Sequence, residues 1–246
     1  MSEVIEVRHV SKSYKIYKDK GFSLKDRILS LKRNRYHKKL VLNDINFTVK
    51  KGESIGLIGK NGCGKSTLLK LLSRIIYPDK GSIEIKGRVV SLIELGAGFH
   101  PDMSGLENIY INASIFGLTK KEINGKLNDI VKFSGLKDFI YEPVRVYSSG
   151  MYMRLAFAVA INVDADILLI DEILAVGDIN FQEKCLKKLE QIEKNGTTVI
   201  LVSHSLEQIE KFCNRSIWIR DGHIELDGAP KYVNNEYLKF MNNNKE

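Results

Sequence analysis

A glycine-rich stretch between residues 59 and 67 carries the most explicit chemistry in the sequence. It matches the pattern G-x-x-x-x-G-K-[ST], in which backbone N–H groups close around phosphate oxygens. The preceding residues Ile55 to Ile58 form an apolar run typical of a buried strand, and Thr67 to Ile76 have a helical pattern. The loop therefore lies between a strand and the positive N-terminal end of a helix, the context in which such loops bind phosphate.

The side chains of this loop have separate expected roles. Lys65 would reach the β- and γ-phosphates, and the Ser66 hydroxyl would ligate Mg²⁺. Cys63 is either a target for an alkylating reagent or a small residue that the loop tolerates. The candidate nucleotide-binding residues of the loop are Gly59, Asn61, Gly62, Cys63, Gly64, Lys65, Ser66 and Thr67.

An acidic pair, Asp171-Glu172, follows the apolar run Ile167 to Ile170. Such a run delivers Asp171 to the carboxyl end of a buried strand, where ligands bind in open α/β sheets. Asp171 would hold Mg²⁺ there, directly or through water, and would also belong to the nucleotide site. Glu172 would be placed to orient and deprotonate an attacking water molecule.

Two further polar segments lie directly beside predicted strands or helices. His204 comes just after the predicted strand Thr197 to Val202. The segment Tyr147-Ser148-Ser149-Gly150-Met151 precedes an apolar, helix-compatible run. The order of the loop, this segment, the acidic pair and the histidine resembles the ATP-binding cassette ATPases. The resemblance runs from about Val4 to about Gly228.

The resemblance assigns roles to these residues. The family signature is usually L-S-G-G-Q, and Ser148 and Gly150 keep the two positions that would face a nucleotide. Ser148, Ser149 and Gly150 would then contact the ATP of a partner subunit. His204 would contact the γ-phosphate as the switch histidine, and it joins Glu172 and Lys65 as the expected catalytic residues.

Three positions have competing interpretations. Tyr14 matches the aromatic residue that stacks on adenine in the family, but it could equally be an ordinary residue at a strand end. Asp178 occupies the position of an acidic residue that crosses the dimer interface, but it could equally be a helix N-cap. Glu94 stands where the family usually has a glutamine that coordinates Mg²⁺. A carboxylate can still ligate Mg²⁺, and it would add negative charge near the triphosphate.

The resemblance also implies a fold. We expect an α/β protein with a P-loop NTPase (RecA-like) core, an N-terminal antiparallel β portion and an inserted helical subdomain at residues 95–160. Residues 1–246 would form one nucleotide-binding domain, with a basic insertion at residues 15–40. Two copies would form a head-to-tail homodimer with two ATP molecules, each with Mg²⁺, at the interface.

The sequences at residues 92–101, 147–151 and 171–178 resemble one branch of the family, the exporters of lipid-linked polysaccharides and polyol phosphates. This branch implies a separate transmembrane permease, through which a lipid-linked glycan passes. Two alternatives stay open: an exporter of drugs or small lipids, and a non-transport ATPase acting on nucleic acid. A nucleic-acid partner is not expected, because the chain has one cassette and few stacking aromatics among its basic residues.

The net charge of +8 resides in one segment. Lys15 to Leu40 contains ten Lys and Arg residues and two acidic residues, and the rest of the chain is balanced. A short helix here would place Leu24, Ile28 and Leu31 on one face. This segment could lie on an anionic membrane surface, contact a partner or the substrate phosphates, or be a solvated loop.

The composition bears on the cellular location of the chain. Its apolar content of 43% is ordinary for a globular protein. No apolar run approaches the roughly 18 residues of a membrane span, and the start lacks the layout of a signal peptide. Three widely spaced cysteines fit a reducing compartment. These features predict a cytoplasmic chain, and the resemblance to the exporters implies a peripheral protein on the cytoplasmic face of the inner membrane.

Overall fold

The structure is a computed structural model that describes residues 2–17, 36–93, 95–171 and 178–243. Its strands are β1 (Glu3–Tyr17), β2 (Tyr36–Lys50), β3 (Ser54–Ile58), β4 (Lys80–Ile85), β5 (Val89–Ser91), β6 (Ile167–Asp171), β7 (Thr198–Val202), β8 (Arg215–Arg220) and β9 (His223–Gly228). Its helices are α1 (Lys65–Leu72), α2 (Gly105–Ile115), α3 (Lys120–Ser134), α4 (Ser149–Ile161), α5 (Ile179–Lys194), α6 (Leu206–Phe212) and α7 (Pro230–Asn243).

A six-stranded sheet forms the centre of the molecule, in the order β5-β6-β7-β3-β8-β9. The first five strands are parallel, and β9 is antiparallel to β8. The central strands β3, β6 and β7 are almost entirely buried, which explains their uninterrupted apolar sequences. The predicted strands at these positions are confirmed.

A three-stranded antiparallel sheet, in the order β2-β1-β4, packs beside the central sheet. Strand β1 extends to Tyr17 and β2 begins at Tyr36, so both are much longer than the short strands that the sequence predicts. Residues Lys12 to Tyr17 pair with Tyr36 to Leu42 as a ribbon that is largely exposed. An exposed ribbon has no alternation of apolar and polar residues, and the sequence pattern therefore missed it.

Three helices, α2 to α4, are inserted between the neighbouring strands β5 and β6. Helices α2 and α3 begin with capping boxes, in which Ser104 pairs with Glu107 and Thr119 pairs with Glu122. The last carbonyls of α3 accept hydrogen bonds from side chains of other helices: Lys184 Nζ donates to Phe133 O at 2.9 Å, and Arg154 Nε donates to Ser134 O at 2.9 Å. The inserted helices are thereby joined to each other and to α5.

Two apolar clusters lie on opposite faces of the central sheet. Ile167 and Leu169 face the antiparallel sheet and α1, whereas Leu168 and Ile170 face the inserted helices. The final helix α7 packs on β8, where Trp218 contacts Tyr237 and Phe240 with ring centroids 5.5 and 5.3 Å apart. This arrangement fixes the carboxyl ends of the parallel strands relative to α1 and α7.

Candidate functional site

The loop at residues 59–64 joins the end of β3 to the start of α1, as predicted. Gly64 precedes the helix with φ of 114°, in the region that favours glycine. A side chain at Gly64 would also collide with Leu42 of β2. Residue 64 therefore has to be glycine for conformational and steric reasons, and its backbone can approach a ligand closely.

The amino group of Lys65 lies inside this loop. The residue is only 6% exposed, and Nζ donates to the carbonyl oxygens of Gly59 at 2.7 Å and Lys60 at 3.1 Å. The two hydrogen bonds hold the amino group of Lys65 within the loop. Cys63 is also buried here, and burial raises the pKa of its thiol, although the charge of Lys65 opposes the shift. Burial and a raised pKa favour the interpretation of Cys63 as a tolerated loop residue.

A cavity of about 330 Å³ opens beside the loop and α1. Asp171, at the end of β6, and His204, just after β7, reach the same cavity from separate strands. Parallel strands end at the same edge of the sheet, and distant sequence positions converge there for that reason. Six predicted loop residues line the cavity: Asn61, Gly62, Gly64, Lys65, Ser66 and Thr67.

Sequence reasoning missed two lining residues. Val41 and Val202 give the cavity its apolar walls. Both lie in predicted strands or directly beside one, where an apolar residue predicts core packing. A valine in such a position gives no indication that it contacts a ligand. Val202 immediately precedes the segment with His204, and that position could have indicated its place.

The oxygen donors in this cavity suit a magnesium ion. The Ser66 hydroxyl and the Asp171 carboxylate both line the cavity, and Mg²⁺ prefers such hard oxygen ligands together with water and phosphate. The predicted base Glu172 and the predicted ligand Glu94 lie outside the described residues. Their positions follow directly after Asp171 and Ile93 in the chain.

Tyr14 lies on the exposed ribbon, away from the phosphate cavity. It pairs with Lys39 on β2, two residues before Val41, and is 39% exposed. The ring is thus accessible at the side of the cavity on which β2 lies. Such a position suits an aromatic residue that stacks on a planar ring, and the stacking role of Tyr14 stays a prediction.

The segment Ser148-Ser149-Gly150 begins helix α4. Ser148 is the N-cap, and its Oγ accepts from the backbone N–H of Met151 at 3.1 Å. Ser148 and Ser149 are exposed, and none of the three residues lines the phosphate cavity of the chain itself. The first N–H groups of a helix attract anions, and this helix start is open to solvent.

Asp178 caps helix α5. Its Oδ1 accepts from the N–H of Phe181 at 2.9 Å. Within one chain, Asp178 therefore acts as a helix N-cap. The side chain is exposed at the end of the segment 172–177, which lies outside the described residues, and contact with a second subunit stays a prediction.

A contact that the sequence did not indicate joins α4 to the segment after residue 94. The Tyr152 hydroxyl donates to Gly96 O at 2.9 Å, and its ring lies edge-on to Phe99 at 5.0 Å. Asn112 Nδ2 of α2 donates to Ala97 O at 2.7 Å. These contacts hold residues 96–99 against the inserted helices.

The fold and the cavity together identify the class of protein. A parallel sheet with a glycine-rich loop between β3 and α1, a buried lysine in that loop and an aspartate at the end of β6 is the arrangement of a P-loop nucleoside triphosphatase.

Comparison with known proteins narrows this class. The ABC transporter family matches residues 42–175. The chain is 45% identical, over 98% of its length and 100% of the relative, to the O-antigen export system ATP-binding protein RfbB of Klebsiella pneumoniae. It is 44% identical, over 96% of its length and 65% of the relative, to the teichoic acids export ATP-binding protein TagH of Levilactobacillus brevis. The chain belongs to the ABC transporter family and is an ATPase of the ABC type.

Solved structures show the same fold. The ATP-binding subunit of an ABC transporter aligns with a TM-score of 0.75 over 95% of this chain and 93% of that one, at 21% identity. A dimeric ATP-binding cassette bound to ADP and Pi aligns with a TM-score of 0.71 over 92% of this chain and 98% of that one, at 20% identity. These likenesses confirm the predicted architecture. Among the described residues, no helix has both the length and the apolar character needed to cross a bilayer.

Proposed function

We propose that the chain is the ATP-hydrolysing subunit of a transporter that exports a lipid-linked polysaccharide or polyol phosphate. Relatives named for O-antigen export and teichoic acid export are 45% and 44% identical to it over nearly its whole length. The single observation that carries the ATPase part is the cavity where the loop lysine, Asp171 and His204 meet.

The cavity accounts for binding of Mg-ATP. Lys65 Nζ exchanges its carbonyl partners for β- and γ-phosphate oxygens, which are stronger acceptors for an ammonium group. Ser66 and Asp171 would hold Mg²⁺, with Glu94 as a further ligand. Tyr14 stacks on the adenine ring above the β2 side of the cavity.

Hydrolysis requires two more residues at this edge of the sheet. Glu172 directly follows Asp171 and deprotonates the attacking water, and His204 contacts the γ-phosphate from the end of β7. Mg²⁺ held by Ser66 and Asp171 would neutralise the charge that develops on the phosphates.

The second half of each site comes from another copy of the chain. Ser148, Ser149 and Gly150 lie on an exposed helix start outside their own phosphate cavity, and Asp178 lies at an exposed helix start as well. In a head-to-tail homodimer, these residues meet the nucleotide held by the loop of the partner. ATP binding closes the dimer, and hydrolysis opens it.

The inserted helices transmit this motion to a transmembrane permease. Their proposed extent is residues 95–160, within a single nucleotide-binding domain at residues 1–246. The protein therefore acts as a peripheral subunit on the cytoplasmic face of the membrane. The basic insertion at residues 15–40, most of which lies outside the described residues, docks on the permease or on anionic lipid.

A genetic experiment tests the proposal. Deletion of the gene should remove the exported glycan from the cell surface and leave lipid-linked glycan in the cytoplasmic leaflet. The wild-type gene should restore export, and Lys65→Ala should not. Unchanged surface glycan in the deletion strain would contradict the proposed substrate. New sensitivity to drugs instead would favour the alternative exporter.

A further inference from the structure

The final helix α7 meets the back of the phosphate-binding loop through one aromatic ring. The ammonium group of Lys60, in the loop, lies 4.8 Å from the centroid of the Phe240 ring. The guanidinium carbon of Arg220 lies 4.3 Å from the same centroid. Both distances fall within the range in which a π face attracts a cation.

The Phe240 ring is itself firmly placed. Its centroid is 5.3 Å from that of Trp218, and α7 is anchored by Val233, which is fully buried. Trp218 on β8 pairs with Ile58, the last residue of β3 before the loop. Phe240 is therefore positioned relative to the strand from which the loop starts.

The side chain of Lys60 contacts α7, whereas its backbone carbonyl group accepts hydrogen bonds from within the loop. Its carbonyl oxygen accepts from the N–H of Cys63 at 3.3 Å and from Lys65 Nζ at 3.1 Å. It lies between Gly59 and Gly62, which have φ of 146° and 81° and whose backbones are freer than those of other residues. One residue thus links α7 to the lysine that faces the phosphates.

A second cavity borders the loop. It has a volume of about 620 Å³ and is lined by Lys60, Cys63, Trp218 and Phe240, among others. Gly59 and Gly64 are packed closely against Ile219 and Leu42, whereas Lys60 is exposed. The contact between Lys60 and Phe240 therefore restrains the exposed part of the loop, where we expect local stability to be lowest.

We propose that Phe240 is a positioning residue for nucleotide binding. It fixes the Lys60 side chain against α7 and thereby restrains the loop backbone between Gly59 and Gly62. The inference rests on the proposed function, since it assumes that the loop holds the phosphates of ATP. Without the ring, a smaller fraction of the molecules has the loop in the binding-competent conformation. The apparent affinity for the nucleotide falls in proportion to that fraction.

The first test compares Phe240→Leu with Phe240→Tyr. Titration with a fluorescent ATP analogue should show a roughly two- to five-fold higher Kd for Phe240→Leu, the effect of one cation–π contact at an exposed site. The kcat at saturating ATP should change little, because the reacting groups are intact. Phe240→Tyr keeps a π face and should restore the Kd. A role in helix packing alone would lower the melting temperature and leave the Kd unchanged.

The second test uses Lys60→Met, which removes the cation without altering α7. If Lys60 acts through Phe240, the double variant Lys60→Met/Phe240→Leu should bind the analogue no more weakly than Lys60→Met alone. Leu238→Ala, at a residue 45% exposed on the same helix, is the matched control and should bind as wild type. Effects that add in the double variant, or a wild-type Kd in folded Phe240→Leu, would overturn the inference. If the wild-type protein itself did not bind the analogue, the proposed function would fail instead.

Discussion

The two segments that would face a nucleotide are built in opposite ways. The loop at residues 59–64 is embedded at the edge of the central sheet, and its lysine is 6% exposed and bonded to two loop carbonyls. The segment 148–150 lies at the start of α4, where Ser148 and Ser149 are exposed. In the described contacts, its side-chain support is the N-cap bond from Ser148 to Met151.

We interpret this difference as a division of roles: the loop binds the phosphates, and the segment 148–150 completes the site of another subunit. The loop, Asp171 and His204 converge within one chain, and we therefore expect one chain to bind the phosphates of a nucleotide by itself. The start of α4 presents anion-attracting N–H groups to solvent, away from that cavity. In the proposed homodimer, the second subunit brings its nucleotide to this surface. We therefore expect variants in the two segments to fail differently.

The largest effect is expected from Glu172→Gln, which should leave both segments intact. Loss of the general base should slow hydrolysis by roughly 10²- to 10⁴-fold, whereas the phosphate and Mg²⁺ ligands remain. The variant should accumulate as an ATP-bound dimer, visible by size-exclusion chromatography with and without Mg-ATP. Near-normal turnover would remove Glu172 from the role of base.

Ser148→Arg should abolish cooperative ATPase activity and leave one-site nucleotide binding intact, because a bulky side chain blocks closure on the partner's nucleotide. Thr119→Arg is the matched control, since Thr119 caps α3 as Ser148 caps α4. The control should lose about 1 kcal/mol of helix stability and keep hydrolysis. Hydrolysis that survives in folded Ser148→Arg protein would exclude the composite site.

Lys65→Ala should weaken binding of a fluorescent ATP analogue by roughly 10- to 100-fold, the loss of one charge-assisted hydrogen bond to phosphate. Lys70→Ala removes a lysine from the last turn of the same helix and should bind normally. Mixing Lys65→Ala with Ser148→Arg protein should restore some hydrolysis, because a mixed dimer has one intact loop facing one intact segment. Unchanged affinity in Lys65→Ala would mean that phosphate binds elsewhere.

The smallest effect on hydrolysis is expected from the basic insertion, which belongs to neither segment. Changing Lys25, Arg27, Lys32, Arg33 and Arg35 to Gln should leave ATPase activity in solution nearly intact. Binding to anionic vesicles or to the permease should fall, most clearly at low salt, where charges are least screened. Equal binding by wild type and variant at low ionic strength would leave the solvated-loop interpretation. Loss of DNA binding instead would favour the nucleic-acid alternative.

The sequence predicted those parts of the site that depend on local pattern. The loop residues and the strand before Asp171 are contiguous in sequence, and the rule that parallel strands end at one edge accounts for their meeting with His204. Helix α1 begins at Lys65, two residues before the predicted start, because the loop closes directly into the first helical turn.

The contacts that the sequence did not predict join positions far apart in the chain. Tyr152 bonds to Gly96, and Phe240 meets Lys60. A tyrosine or phenylalanine at helical spacing predicts core packing and does not name its partner. The ribbon formed by β1 and β2 was missed for another reason: both of its faces are exposed, and no burial pattern marks it.

The insertion of α2 to α4 between two adjacent strands has an evolutionary consequence. The pairs Val89↔Ile167 and Ser91↔Leu169 keep β5 and β6 in register, whatever the chain does between them. The cost of closing a connection grows only slowly with its length. Mutations in these helices can therefore change their exposed surface, which we propose contacts the permease, without disturbing the loop that follows β3, two strands from β6.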